Sequence, residues 1–197
     1  MTGQESDQPR IPPLDPPYGL AADLLAKVTR PGSEPLLIFR TLARHVALAT
    51  AMEPLASYLL GPDGLAAEDR ELAILRVTAR CGCRSEWATH ATVFAPLFGW
   101  PASLVRGLRV SAGPVSGLSD RQGLVVELCD GLVDHAAISD ALWARLRYHW
   151  SDEELLELIV VVGLYQTVSY VAKCARTPVE AWASAVAGGE DQITHDR

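Results

Sequence analysis

Apolar residues recur every three to four positions along most of the chain, which is the period of an amphipathic helix. A first helical stretch runs from Leu20 to Val28 and stops at Pro31-Gly32. A longer one, from about Pro35 to Leu60, is expected to kink or break near Pro54. The breaker cluster Gly61-Pro62-Asp63-Gly64 ends it. The next helix is predicted from Glu68 to Arg80, with Leu72, Ile74, Leu75, Val77 and Ala79 as its apolar stripe. Gly82 interrupts the pattern, and a further helix covers Cys83 to Ala95 before Pro96.

The second half marks its helix starts with capping residues. Ser119-Asp120-Arg121-Gln122 and Ser151-Asp152-Glu153-Glu154 read as capping boxes, and Thr177-Pro178-Val179-Glu180 as a third with Pro at the first helical position. Ser139 reads as an N-cap ahead of Leu142 and Leu146. The run 158–162 has strand propensity, but the cap at Ser151 starts a pattern that continues to Lys173, so it reads as helix despite Gly163. Offset by 83 residues, Glu71-Leu72 aligns with Glu154-Leu155, Cys83 with Gln166, Trp87 with Tyr170 and His90 with Lys173. This faint repeat suggests two related helical halves.

The fold class is therefore all-α. Residues 1–17 form a Pro-rich arm, disordered or draped over a partner. Residues 18–187 form one helical domain, with a motif half at about 35–115 and a degenerate half at about 118–187, and residues 188–197 are a flexible tail.

Composition narrows the function. A formal net charge of −7 and the lack of any basic run argue against nucleic acid and anionic membranes as partners. The N-terminus has no apolar segment of the signal-peptide kind, and the run Leu155 to Val162 is too short to cross a bilayer, which points to a cytoplasmic protein. In such a compartment the four cysteines, Cys81, Cys83, Cys129 and Cys174, are expected as free thiols.

Candidate chemistry lies at the Gly82 junction. Cys83, Glu86, Trp87 and His90 sit at i, i+3, i+4 and i+7, on one helix face. Glu86 and His90 are spaced to hydrogen-bond, and Cys83 lies at a helix start, where the partial positive charge favours a thiolate. If the chain folds back at Gly82, Glu71 reaches the same face. A thiol, two carboxylates and an imidazole suffice for acid–base or thiol chemistry. The bland alternative is a buried hydrophobic Cys beside a surface Glu–His pair. The spacing matches no closed zinc site, so no metal is expected, and Cys81-Gly82-Cys83 is poorly spaced for a stable disulfide. No cofactor is implied.

The stretch Arg70-Glu71-Leu72-Ala73-Ile74-Leu75-Arg76, followed by Cys83-Arg84-Ser85-Glu86-Trp87-Ala88-Thr89-His90, resembles the carboxymuconolactone decarboxylase family, which includes the alkyl hydroperoxidase D proteins. The match covers residues 68–100 and continues loosely through 139–150 and 155–173. The resemblance implies an all-helical homo-oligomer: dimer, trimer or hexamer. In the peroxidase branch a Glu is followed twelve residues on by C-x-x-C-x-x-x-H. Glu71, Cys83 and His90 keep that spacing, but Glu86 stands where the peroxide-attacking Cys belongs. A carboxylate cannot form or resolve a sulfenic acid. The resemblance thus implies decarboxylase-like acid–base chemistry on a small lactone or organic acid. Glu71, Cys83, Glu86 and His90 would be the reacting set, and Trp87, Tyr165, Gln166 and Tyr170 the substrate-binding walls. A thiol-dependent hydroperoxidase and a non-catalytic oligomer are the alternatives. Arg76, Arg80 and Arg84 lie nearby and read as exposed, and His135 as a surface residue in a helix-ending turn, while His45 reads as core or pocket.

Overall fold

The computed structural model describes residues 8–111 and 113–188, and among them every regular element is helical. In chain order these are α1 (Ala22–Val28), α2 (Leu37–Leu42), α3 (Val46–Leu59), α4 (Ala67–Arg80), α5 (Arg84–Phe94), α6 (Ala102–Val110), α7 (Asp120–His135), α8 (Asp140–Leu146), α9 (Asp152–Ala175) and α10 (Ser184–Ala187).

Helix α4 is the hub. Ten consecutive residues, Asp69 to Thr78, are buried, so it has no solvent face and is walled by α5, α6, α7 and α9. A helix covered on all sides must carry apolar residues all round or pair its polar ones. Leu72, Ala73, Ile74, Leu75 and Val77 supply the first kind. The polar ones are paired at length. Asp69 accepts from Arg121 Nη1 at 2.8 Å and from Trp150 Nε1 at 3.0 Å. Glu68 accepts from Gln122 Nε2 at 2.9 Å and Trp100 Nε1 at 3.2 Å. Arg76, expected at the surface, is fully buried: it meets Asp130 through two bonds of 2.7 and 2.6 Å and donates to the carbonyls of Leu108 and Ser111. These bonds clamp α4 to α7, to Trp150 and to the residues in and around α6.

Capping sets three of the helix starts as the sequence suggested. Ser119 and Ser151 form complete capping boxes, and Ser139 caps α8. Residues 158–162 are helical and Gly163 is passed without a break. The other expectations are corrected. The break in the 35–60 stretch falls at residues 43–45, a short 3-10 turn after which the exposed His45 side chain accepts from Leu48 N–H, while Pro54 sits inside α3. The third capping box does not form. Glu180 accepts instead from Leu37 N–H at 2.6 Å, capping α2, whose own N-cap Leu36 has no side chain to do so. Residues 1–7 and 189–197 lie outside the described residues. Residues 8–17, expected as a disordered or partner-bound arm, run along their own domain: Arg10 and Ile11 N–H donate to Ala175 O, and Arg40 holds Leu14 O and Asp15.

Helix α9 is longer and more apolar than the run Leu155–Val162 suggested. Its most apolar 18-residue window has mean hydropathy 1.7, enough by length and composition to cross a membrane, but half of that window is buried, as in a core helix.

Candidate active site

The site is built by the turn between α4 and α5. Gly82 adopts φ +61°, the left-handed conformation that suits glycine. Its N–H donates to Ala79 O and that of Cys83 to Thr78 O, the paired bonds of a Schellman cap. The chain then reverses, and α5 packs along α4. This brings Glu71 and His90, nineteen residues apart, into contact: His90 Nδ1 and Glu71 Oε2 are 2.7 Å apart, with the two side chains 9% and 1% exposed. The other Glu71 oxygen meets Arg70 Nε at 3.3 Å, and Arg70 is anchored to Gly61 O at 2.9 Å. A carboxylate bonded to one imidazole nitrogen fixes the ring and leaves Nε2 as the atom open to exchange a proton. The ring is further held by Phe94, stacked at 5.4 Å, and by Tyr165, edge-on at 5.1 Å.

His90 therefore pairs with Glu71 across helices, where the i, i+4 rule pointed to Glu86. Glu86 is buried, and among the described residues its carboxyl has no hydrogen-bond or ion-pair partner. Burial pushes it up to about 7; the nearby His90 opposes the rise and Glu180 adds to it. A carboxyl poised there exists in both protonation states at neutral pH.

Cys83 is the N-cap of α5 and buried. The expectation that the helix start would favour its thiolate is overturned. Burial raises the thiol above its ordinary value, and the Glu86 charge adds to the rise, against the lowering by the α5 N-terminus and by the Ser85 and Ser169 hydroxyls. Cys81 is also raised by burial, and its carbonyl accepts from Lys173 Nζ at 2.6 Å. All four cysteines are free.

Of the expected wall residues only Tyr165 reaches the centre, where burial and the charges of Glu71 and Glu86 hold its phenol well above the ordinary value. Gln166 bonds Tyr170 at 2.8 Å on the outer side of α9, and Tyr170 is 57% exposed. Trp87 belongs to the core, with the Arg109 guanidinium 4.4 Å over its ring. Sequence reasoning missed Arg70 and Glu180. Arg70, next to Glu71, was inside the quoted motif; nothing local marked Glu180. His135 is exposed at the end of α7, as expected. Among the described residues no group of three or more His, Cys, Asp or Glu is arranged to hold a metal. An open groove lined in part by Asp130, Arg145 and His149 lies on α7 and α8 and includes none of the site residues.

With this geometry in place, the chain can be set beside solved structures. An uncharacterised peroxidase-related protein from Silicibacter sp. superposes with TM-score 0.73 at 18% identity, covering 92% of this chain and 96% of that one. The alkylhydroperoxidase AhpD core of a peroxidase-related protein from Ralstonia eutropha gives 0.72 at 14% identity, over 82% and 86% of the two chains. The fold is AhpD-like. A third match is a cysteine-to-alanine variant of the debrominase Bmp8 in complex with 2,3,4-tribromopyrrole, with TM-score 0.69 at 12% identity over 92% and 97%. At these identities the likeness shows the AhpD-like fold alone. No family model and no curated protein matches the sequence.

Proposed function

We propose that this chain is an acid–base enzyme of the carboxymuconolactone decarboxylase type, isomerising or decarboxylating a small lactone or organic acid. One observation carries the reading: the buried 2.7 Å Glu71–His90 pair stands near a second, unpartnered carboxyl, Glu86, held at about 7. Two proton-handling groups with different environments divide the work of acid and base. His90 Nε2 removes a proton from the carbon next to the substrate carbonyl, and Glu71 stabilises the imidazolium that results. The electron pair moves onto the carbonyl oxygen and through the conjugated system. Protonated Glu86 then delivers a proton to the remote carbon, and proton exchange between His90 and Glu86 restores the start. In a decarboxylation carbon dioxide leaves in place of the first proton, and Glu86 protonates the carbon it leaves.

The charges bear on the substrate. Glu71, Glu86 and Glu180 make the site acidic, and Arg70 is already committed to Glu71 and Gly61 O. Such a site favours a neutral carbonyl or lactone ring, or a monoacid, over a dianion. Its burial restricts the substrate to a small molecule, and the small heteroaromatic ring bound by the debrominase is in keeping with that size. A thiol hydroperoxidase is less well supported, because Glu86 occupies the attacking-Cys position and the Cys83 thiol is raised.

The test is deuterium exchange and turnover, followed by proton NMR across a panel of lactones and β-keto acids. On a substrate that the native chain turns over, His90→Ala and Glu86→Gln should each lower kcat by roughly 10²–10⁴-fold. Unchanged turnover in either variant defeats the assigned role.

A further inference from the structure

An enolate formed beside His90 would place a negative charge among three carboxyl groups, Glu71, Glu86 and Glu180. Such a charge develops readily only where a hydrogen-bond donor is already aimed at the oxygen that receives it. Arg70, the cation whose charge reaches this place, already donates to Glu71 and to Gly61 O. The donor therefore has to be neutral and held ready.

Tyr165 has those properties. It stands on the buried face of α9 with Leu158, Val161, Val162 and Ser169. A third helix thus brings it to the place where α4 supplies Glu71 and α5 supplies Glu86 and His90. Its ring packs at right angles to the His90 ring, with centroids 5.1 Å apart and an interplanar angle of 89°. Only 6% of the residue is accessible, yet among the described residues its hydroxyl has no hydrogen-bond partner, which a buried phenol usually finds. Burial and the charges of Glu71 and Glu86 keep the phenol protonated at neutral pH, so it is a donor and not a base. Glu71, which orients the imidazole, is 1% exposed, whereas His90, Glu86 and Tyr165 keep 7%, 5% and 6%. The group that only orients is sealed, and the three that would meet a substrate keep a slight opening.

Other buried donors also lack partners, but they lie elsewhere. The Trp87 indole is packed in the core under the Arg109 guanidinium. Thr92, two residues on from His90, falls on the opposite side of α5. The Ser169 hydroxyl adjoins the Cys81 and Cys83 thiols.

We propose that Tyr165 is a catalytic residue of this site, its hydroxyl donating a hydrogen bond to the substrate's carbonyl oxygen as that oxygen becomes an enolate. The inference rests on the acid–base reading above. The C–H bond breaks and its proton goes to His90 Nε2. Its electron pair becomes the new carbon–carbon π bond, and the carbonyl π pair moves onto the oxygen. Tyr165 keeps its proton and shares it with that oxygen until Glu86 delivers a proton to the remote carbon and the pair returns. In a decarboxylation the same oxygen takes the charge as carbon dioxide leaves. The substrate class that fits is a carbonyl conjugated, once deprotonated, with the reacting carbon: a β,γ-unsaturated lactone or a β-keto acid.

The test is Tyr165→Phe, which keeps the ring against His90 and removes only the hydroxyl. Because that hydroxyl bonds nothing within the described chain, the variant's unfolding midpoint should be no lower than the native one. On a lactone that the native chain turns over, kcat should fall roughly 10²–10³-fold while KM changes little. The shape of the kcat profile across neutral pH should be unchanged, since the phenol does not titrate there. The carbonyl oxygen of the substrate is then replaced by sulfur, a weak hydrogen-bond acceptor. Native chain and variant should turn over this thionolactone at similar rates, whereas a ring that merely packs would give the same ratio on both substrates. Equal losses on both substrates, a lowered midpoint or a lost limb of the pH profile overturns the role. So does a Tyr165→Phe variant as fast as the native chain where His90→Ala is slow, and this result leaves the acid–base reading standing. If His90→Ala is as fast as the native chain, or no lactone or β-keto acid reacts, the acid–base reading fails and the role of Tyr165 with it.

Discussion

Glu86→Gln is the sharpest perturbation the site offers, because it separates the stability of the fold from its chemistry. The Glu86 carboxyl stands at about 7 in the folded chain and at its ordinary 4.5 when unfolded. Below pH 4.5 it is protonated in both states and contributes no difference. As the pH rises from 4.5, the unfolded chain releases a proton that the folded chain keeps, so stability is lost until the folded carboxyl ionises near 7. Above that the loss is constant. The gap of about 2.5 pH units, at about 1.4 kcal/mol each, makes the full loss about 3 kcal/mol. Glutamine has nearly the shape of the protonated acid and cannot ionise. The difference in unfolding free energy, variant minus native chain, should thus be small at pH 4.5, climb through pH 5–7 and level off near 3 kcal/mol by pH 8. Titrating groups that do not feel the Glu86 charge are common to both proteins and cancel. Urea denaturation followed by tryptophan fluorescence, at fixed protein concentration and half-unit pH steps, measures it. A difference that stays flat from pH 4.5 to 8 refutes the burial argument, and one that falls shows that Glu86 is stabilised as a carboxylate. A variant that is more stable yet slower on its substrate would have the trade-off expected of a strained catalytic group.

Two further outcomes follow from burial. Iodoacetamide at neutral pH should label the exposed Cys174 first, with Cys83 and Cys129 protected in the native chain and labelled only on unfolding; peptide mass spectrometry reads the order. Arg76→Met should cost about 3–5 kcal/mol in chemical denaturation, because it strands Asp130 and the carbonyls of Leu108 and Ser111, and Arg76→Met with Asp130→Leu should recover part of that loss.

What was legible in the sequence divides by the range of the interaction. The helices themselves follow from periodicity, and Ser119, Ser139 and Ser151 were read correctly as caps because each bonds an N–H three residues away. Thr177-Pro178-Val179-Glu180 has the same local pattern and fails, because a more distant donor, Leu37 N–H, takes the Glu180 carboxylate. The sequence marks a polar residue that needs a partner; it does not mark which partner when the fold offers several. Arg76 is the same case, drawn inward by Asp130 some fifty residues on.

The site obeys this rule, and its chemistry follows from it. Local spacing pairs His90 with Glu86, one turn back on α5. The Schellman turn at Gly82 instead lays α5 against α4 and offers His90 a second carboxylate, Glu71, already flanked by Arg70. Glu71 has the Arg70 guanidinium on one oxygen and the imidazole on the other, so both of its oxygens are satisfied and it is the partner that holds the ring. Glu86 is left buried without a hydrogen bond among the described residues, and its proton is retained to about 7. On the proposed mechanism, the competition that local spacing misjudged is what leaves one carboxyl to orient the base and another with a proton to give.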